Sequence, residues 1–110
     1  MSTDLVIGVD GGGSHTRVWI AGRDNPYQEG VIGCGSGGPS NPRTAGVAEA
    51  TQNIEIAIEA AFADAKRPRR PVATACIALA GADRAAERVQ IQSWAQQIAL
   101  AQQVLIVNDA

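Results

Sequence analysis

Short apolar runs open the chain. Leu5–Val9 is rich in branched apolar side chains, and Thr16–Ala21 shows a partial alternation of apolar and polar residues. Both patterns are typical of β-strands. Tyr27–Cys34, which contains Val31 and Ile32, predicts a third strand. Because only short turns separate these segments, we expect an antiparallel meander.

Helical and extended patterns alternate after the meander. Within Thr44–Ala65, apolar residues recur at three- and four-residue spacing, which predicts a helix with one apolar face. The continuous apolar run Val72–Leu79 predicts a buried strand. A second helix is predicted over Arg84–Ala101, with Asp83 as its N-cap, and a last strand over Val104–Val107.

The predicted order is β-β-β-α-β-α-β. Strands linked by a helix are usually parallel, so the sheet is expected to be mixed. A hairpin unit followed by βαβ crossovers indicates an α/β domain of the RNase H-like class. The sequence stops on a strand with no helix after it, so we interpret residues 1–110 as one part of a longer protein, truncated before the last helix of this domain.

Composition narrows the class of protein. The 110 residues are 45% hydrophobic but only 4% aromatic, which predicts aliphatic strands covered by thin, closely packed helices. A net charge of −2 argues against a nucleic-acid surface, which normally carries a basic excess. The basic cluster Lys66–Arg70 is interpreted as a solvated loop.

Compartment and cysteine chemistry follow from two further features. The apolar run Ala73–Ala80 is far shorter than the roughly 18 residues of a membrane helix, and no signal peptide is recognisable. Cys34 and Cys76 match no metal-ligand or redox spacing. We therefore expect buried free thiols in a cytoplasmic protein without a membrane partner.

The first candidate for chemistry is the turn after the first strand. It consists of Gly11, Gly12, Gly13, Ser14, His15 and Thr16. Glycine amides can converge on phosphate oxygens, the hydroxyls of Ser14 and Thr16 could add donors, and Asp10 is placed to hold Mg²⁺ through water. A P-loop is excluded because the sequence has no Gly-Lys pair. A dinucleotide-binding fingerprint is excluded because it would open a helix, whereas a strand is predicted after this turn. A glycine-rich turn without a ligand remains the alternative.

Three weaker candidates follow along the chain. In the stiff loop Gly37–Pro42, Asn41 presents an amide suited to sugar hydroxyl or acetamido groups, although the loop also fits a plain connector. In Ala80–Arg84, Asp83 could be a sugar-side contact or half of a local ion pair with the next residue, although the segment also fits a plain strand-to-helix turn with a cap. At the end of the last strand, Asp109 could accept the proton of an attacking hydroxyl, although such residues more often cap the next helix.

Taken together, these motifs resemble one family. The segments that carry the resemblance are Gly8–Thr16, Gly38–Pro42, Leu79–Asp83 and Val107–Ala110. In this order they are similar to the BadF/BadG/BcrA/BcrD ATPase family, in its N-acetylglucosamine kinase and glucosamine kinase branch. That family belongs to the superfamily of actin, hexokinase and heat-shock chaperone ATPases.

The resemblance implies a fold and a role for each motif. Residues 1–110 would be the N-terminal RNase H-like half of a two-domain enzyme that closes on ATP, Mg²⁺ and a sugar. Asp10 and the Gly11–Thr16 turn would match the first phosphate motif, and Asn41 a sugar contact. Asp109 would match the base that takes the proton from the sugar 6-hydroxyl.

The sequence departs from the family pattern in places. The family turn often reads Gly-Gly-Gly-Thr-Lys-Thr, whereas Ser14 and His15 stand here. Serine keeps the hydroxyl, and the lysine charge is lost. The second phosphate motif, the adenosine site and the other sugar contacts would lie beyond Ala110, so this stretch alone is expected to be inactive. A homodimer of the full-length protein is compatible with the resemblance.

Two alternatives from other classes stay open. One is an ATPase that activates a 2-hydroxyacyl-CoA dehydratase or an aromatic-CoA reductase through an iron–sulfur cluster. The other is a non-catalytic sugar-sensing relative. The loop around Asn41 favours the kinase over the activator, and the presence of both Asp10 and Asp109 argues against the sensor.

Overall fold

The computed structural model describes residues 5–22 and 30–109, which form one sheet and its covering helices. The strands are β1 (Leu5–Gly11), β2 (Thr16–Gly22), β3 (Val31–Gly37), β4 (Val72–Leu79) and β5 (Ala101–Asn108). The helices are α1 (Pro42–Ala45), α2 (Val47–Ala65) and α3 (Ala85–Gln97).

The sheet has the spatial order β3-β2-β1-β4-β5. β1 and β3 run antiparallel to β2, whereas β4 runs parallel to both β1 and β5. The predicted mixed α/β class with a mixed sheet is confirmed. Along the chain, the structure adds the short helix α1 to the predicted sequence of elements.

One face of the sheet is buried under the helices. Alternate residues of the strands point into a single apolar core, as the period of two requires: Leu5, Ile7 and Val9 of β1 share it with Val18 and Ile20 of β2 and with Ala75, Ile77 and Leu79 of β4. α2 adds Ile54, Ile58 and Phe62, and α3 adds Ile91 and Ala95. These are the helix faces that the sequence periodicity predicted.

The approach of α2 to the sheet depends on glycine. Gly33, Gly35 and Gly37 alternate along β3 on the covered face. A Cβ on Gly35 would overlap the carbonyl oxygen of Ala57 and lie 2.5 Å from the amide nitrogen of Ala61. The predicted close packing of thin, alanine-rich helices is therefore found along this contact.

The opposite face of the sheet carries no helix among the described residues. Leu105 and Val107 of β5 are 48% and 45% exposed there. Cys34 and Cys76 are both free and exposed, so the prediction of buried thiols was wrong. The physical reason is that alternation places both side chains on this uncovered face.

Several element boundaries differ from the predictions. The first predicted helix is divided at Gly46, whose φ of 86° lies in the left-handed region that favours glycine. α3 begins after Arg84 rather than after Asp83, and it ends at Gln97, before the predicted end at Ala101. β3 extends to Gly37, and residues 27–29 of the predicted third strand lie outside the described residues.

The basic cluster lies in the connection from α2 to β4, as predicted. Arg69 pairs with Glu55 and Glu59 of α2, and its guanidinium lies 5.9 Å from the centre of the Phe62 ring. This arrangement holds the connection against the helix.

None of the helices within residues 5–22 and 30–109 has the combined length and apolar character needed to cross a bilayer.

Candidate functional site

The candidate residues gather where three parallel strands end. β1, β4 and β5 run in the same direction, so their carboxyl ends share one edge of the sheet. The amide of Ala80 donates to the carbonyl of Gly11 (2.9 Å), and the amide of Asp109 donates to the carbonyl of Leu79 (3.0 Å). Ligand sites in α/β sheets form at such edges.

Two carboxyl groups meet at this edge. Asp10 lies near the end of β1 and Asp109 directly follows β5, and both are exposed. The Asp10 side chain raises the pKa of Asp109 above its usual range, first through a hydrogen bond between the two carboxyl groups and then through charge repulsion; desolvation adds to both. Two residues 99 positions apart in the sequence thus form one acidic pair.

This acidic pair has the chemistry of a magnesium site completed by a phosphate ligand. Mg²⁺ in phosphoryl-transfer enzymes takes one or two carboxylates and fills its other positions with water and phosphate oxygens. A divalent cation would also offset the repulsion between Asp10 and Asp109. The described residues hold no group of three or more His, Cys, Asp or Glu side chains that could form a protein-only metal cage.

The glycine turn beside this pair is open. The Gly12 amide donates to the carbonyl of His15 (3.0 Å), which closes the turn, and the Ser14 hydroxyl lies 3.2 Å from Nδ1 of His15. A Cβ on Gly12 or Gly13 would meet nothing within 4 Å, and neither φ is left-handed. The described chain itself does not require glycine at these two positions, so the space beside them is available to a ligand.

The backbone donors of the turn divide into two groups. The Gly12 amide is already committed to His15, which removes it from the predicted phosphate cradle. Within the described part of the chain, the amides of Gly13, Ser14 and His15 donate to no backbone carbonyl. Exposed N–H groups in a turn are the donors that an anion needs.

Gly11 differs from the two glycines that follow it. A Cβ there would overlap the Ser40 hydroxyl and lie 2.6 Å from Cδ2 of Leu79. This glycine is therefore required by packing of β1 against the loop after β3. It contributes to the site by letting that loop approach the turn.

The predicted contact between the Thr16 hydroxyl and phosphate does not fit the structure. Thr16 is fully buried, and its hydroxyl lies 2.7 Å from the Gly38 carbonyl and 2.6 Å from the Ser40 hydroxyl. Thr16 begins β2 on the face that also carries Val18 and Ile20, so it points into the core. Its role is internal to the protein.

The loop of residues 38–41 lies against the turn. The Ser40 amide donates to the Gly12 carbonyl (3.0 Å), and Nδ2 of Asn53, on α2, donates to the Pro39 carbonyl (2.7 Å). Oδ1 of Asn41 accepts from the Arg43 amide (2.9 Å) and caps α1. The connector interpretation of Asn41 is thus realised, and its side-chain NH₂ group remains for a ligand.

The loop also reaches the turn after β4. A Cβ on Gly81 would lie 2.6 Å from Cγ of Asn41, so only glycine lets the two segments meet. Arg43 pairs with Asp83 across 3.5 Å, with both side chains about half exposed. The alternative of a local pair between Asp83 and Arg84 is not what the structure shows. Asn41 and Asp83 are nevertheless held in neighbouring segments, as a shared ligand would require.

Sequence reasoning missed three residues that organise the site. Ser40 and Asn53 hold the loop, and Arg43 holds Asp83. The inward direction of Thr16 could have been found from its alternation with Val18 and Ile20. Nothing in the local sequence identifies the other three, because their partners are distant in the chain.

A groove of about 310 Å³ lies elsewhere, between α3 and β5. Its lining residues are Ala85, Arg88, Val89, Gln92 and Ile106, and it contains none of the candidate site residues. The chemistry-bearing side chains thus lie at the strand ends and outside this groove.

Comparison with known proteins shows a likeness to solved structures. No family model and no curated protein matches the chain. Among solved structures, the chain is similar to a candidate N-acetylglucosamine kinase from Chromobacterium violaceum, with a TM-score of 0.71 and 26% identity. The match covers 99% of this chain and 36% of that protein, so the chain spans about a third of its length. This likeness supports a sugar-kinase type of ATPase fold.

Proposed function

We propose that these residues form the N-terminal subdomain of an ATP-dependent amino-sugar kinase, which phosphorylates the 6-hydroxyl of N-acetylglucosamine or glucosamine. The observation that carries the proposal is the convergence of Asp10 and Asp109 at one edge of the sheet, beside an open glycine turn. The likeness to a candidate N-acetylglucosamine kinase supports the same reaction class. The second domain and the adenosine site belong to the rest of such an enzyme.

Asp109 is the proposed general base. Its carboxyl is exposed at the strand edge, where a bound hydroxyl can reach it. An ionised carboxylate there accepts the hydroxyl proton as the oxygen attacks the γ-phosphate. In the absence of a metal, Asp10 raises the pKa of Asp109 through a hydrogen bond and charge repulsion, so the two carboxyl groups are coupled at this edge.

Asp10 is the proposed magnesium residue, acting through bound water. Mg²⁺, when bound, neutralises charge on the phosphate oxygens. The Gly13, Ser14 and His15 amides are directed to phosphate oxygens in this proposal, and Gly11 and Gly12 shape the turn. Thr16 has no ligand contact in it.

The sugar is assigned to the other side of the pair. Asn41 offers its side-chain NH₂ group, and Asp83 offers carboxylate oxygens beside Arg43. Such groups suit hydroxyl and acetamido substituents, since each gives a directional hydrogen bond. The short distance between these segments, set by Gly81, supports a single sugar pocket.

ADP release from Mg·ATP tests the proposal. The assay uses the longest natural protein that contains these 110 residues and compares the wild type with Asp109→Asn. Each form is tested with a panel of sugars that includes both amino sugars. We expect turnover with an amino sugar that falls at least about a hundredfold in the variant, since a general base contributes ~10²–10⁴-fold. Asp64→Asn is the matched control, because Asp64 is an exposed carboxylate on α2 that accepts from the Cys34 amide and lies outside the candidate site.

The result against the proposal is equally specific. A folded protein that binds Mg·ATP but shows no sugar-dependent ADP release would reject the kinase. The reductase or dehydratase activator and the sugar sensor would then be the remaining candidates. Equal rates for Asp109→Asn and Asp64→Asn would reject Asp109 as the base while leaving the kinase in place.

A further inference from the structure

A buried pair of hydroxyls joins the two ligand segments of the proposed site. Thr16, at the end of the phosphate turn, lies 2.6 Å from Ser40, in the loop that carries Asn41. Both side chains have no exposed surface. The two residues are 24 positions apart, so this contact is made only in the folded protein.

The proton arrangement of the pair is determined by its neighbours. The Thr16 hydroxyl has one proton, and the Gly38 carbonyl at 2.7 Å can only accept. The second bond, between the two hydroxyls, therefore takes its proton from Ser40. Removing either hydroxyl leaves a buried polar group without its partner, which is more damaging than losing an exposed hydrogen bond.

Three backbone groups of the loop have partners in neighbouring segments. The Gly38 carbonyl accepts from Thr16, the Pro39 carbonyl accepts from Asn53, and the Ser40 amide donates to the Gly12 carbonyl. The loop is thus held by the turn after β1, by β2 and by α2 together. Among the described residues, the Thr16–Ser40 pair is the link that uses side chains from both ligand segments, beside the backbone bond between Ser40 and Gly12.

We infer that Thr16 and Ser40 are positioning residues, which hold the Asn41 loop at a set distance from the phosphate turn so that sugar and γ-phosphate are aligned. This inference rests on the proposed function, and it replaces the predicted phosphate contact of Thr16. The turn keeps its own closure through Gly12 and His15. Loss of the pair therefore disturbs the sugar loop more than the turn.

Kinetics of Thr16→Val in the longest natural chain provide the first test. We expect the KM for the amino sugar to rise about tenfold and the KM for ATP to change less than twofold, because one unsatisfied buried hydroxyl corresponds to roughly a tenfold change in an equilibrium. Thr16→Ser keeps the hydroxyl and should restore the sugar KM. A purely structural role would lower the active fraction, and hence kcat, at an unchanged sugar KM.

Thr51→Val is the matched control. Thr51 is also buried, but within the described part of the chain its hydroxyl bonds to carbonyls of its own helix, those of Val47 and Ala48. The same substitution there removes a buried hydroxyl without touching the loop. We expect no change in the sugar KM. An equal rise in Thr51→Val and Thr16→Val would overturn the inference.

Amide hydrogen exchange separates this inference from the proposed function, because it needs no turnover. In Thr16→Val, the Ser40 amide should exchange at least about tenfold faster than in wild type, while the Gly12 amide is unchanged. Unchanged Ser40 exchange would overturn the positioning role even in an active kinase. Faster Ser40 exchange in a protein without sugar-dependent ADP release would instead overturn the kinase and leave the link between the segments established.

Discussion

Two glycine-rich segments of the chain look alike in sequence and differ in the structure. In β3, Gly33, Gly35 and Gly37 face α2, and a Cβ on any of them would overlap or crowd the helix backbone. In the turn after β1, a Cβ on Gly12 or Gly13 would meet nothing within 4 Å. The first segment uses glycine for internal packing. The second leaves open space at the edge that carries Asp10 and Asp109.

The difference shows how a glycine run can be assigned a role. A glycine with a neighbour in the way of its Cβ is explained by the fold. A glycine with ordinary φ and no neighbour is not explained in that way, and the space beside it permits the close approach of a ligand. Gly11 belongs to the first kind although it stands in the second segment, because Ser40 and Leu79 fill the space beside it.

The largest effect is expected for Gly35→Ala. The new methyl would overlap the Ala57 carbonyl and crowd the Ala61 amide, both backbone atoms of a well-packed helix, so α2 has to move. We expect the free energy of unfolding to fall by about 3 kcal/mol, at the upper end of overpacking effects. Urea denaturation followed by circular dichroism measures it.

Two controls accompany that measurement. Gly8→Ala makes the same change in β1, where the Cβ would meet only the Trp19 ring at 4.0 Å, and should alter the free energy of unfolding by less than about 1 kcal/mol. Gly13→Ala should also stay within about 1 kcal/mol. A loss at Gly13 as large as that at Gly35 would contradict the distinction between the two segments.

The residues of the apolar core could be predicted from the sequence, because burial follows the local spacing of apolar residues. Ile7 and Val9 in β1, and Ile54 and Ile58 in α2, lie in the core as their spacing predicts. Cys34 and Cys76 were misplaced because small apolar residues in a strand fit either face. The path of the whole chain determines which face of the sheet the helices cover. The pattern of a single strand does not contain that information.

The candidate site could be predicted only in part. The position of Asp10 and Asp109 at strand ends follows from the order of the elements, but their mutual contact depends on the parallel pairing of β1, β4 and β5. The direction of the Thr16 side chain was misread because a hydroxyl beside glycines suggests a ligand. Its partner Ser40 is 24 positions away, beyond any local pattern.

A smaller effect is expected in the titration of Asp109. Its pKa is raised in the folded chain by Asp10, so the interaction favours folding below the ordinary aspartate pKa, and that contribution is lost as the pH rises through the raised value. Asp10→Asn removes the repelling charge and should move the Asp109 midpoint to lower pH. Side-chain ¹³C NMR of the carboxyl group measures that midpoint.

The same titration of Asp109 can be repeated in the presence of MgCl₂. A cation held by Asp10 favours the ionised form of the neighbouring Asp109 carboxylate, so MgCl₂ should also move the Asp109 midpoint to lower pH in wild type. The shift should vanish in Asp10→Asn. A midpoint that is insensitive to both the substitution and Mg²⁺ would show that the two carboxyl groups do not act as a pair.

The most direct test of the central claim is an NMR titration of the ¹⁵N-labelled longest natural chain with Mg·ATP, read at the two glycine-rich segments. We predict saturable changes in the chemical shifts of the Gly13, Ser14 and His15 amides. The chemical shifts of the Gly33, Gly35 and Gly37 amides should not change. Unmoved turn amides in the presence of saturating Mg·ATP would contradict the assignment of this turn to phosphate, and with it the proposed kinase site.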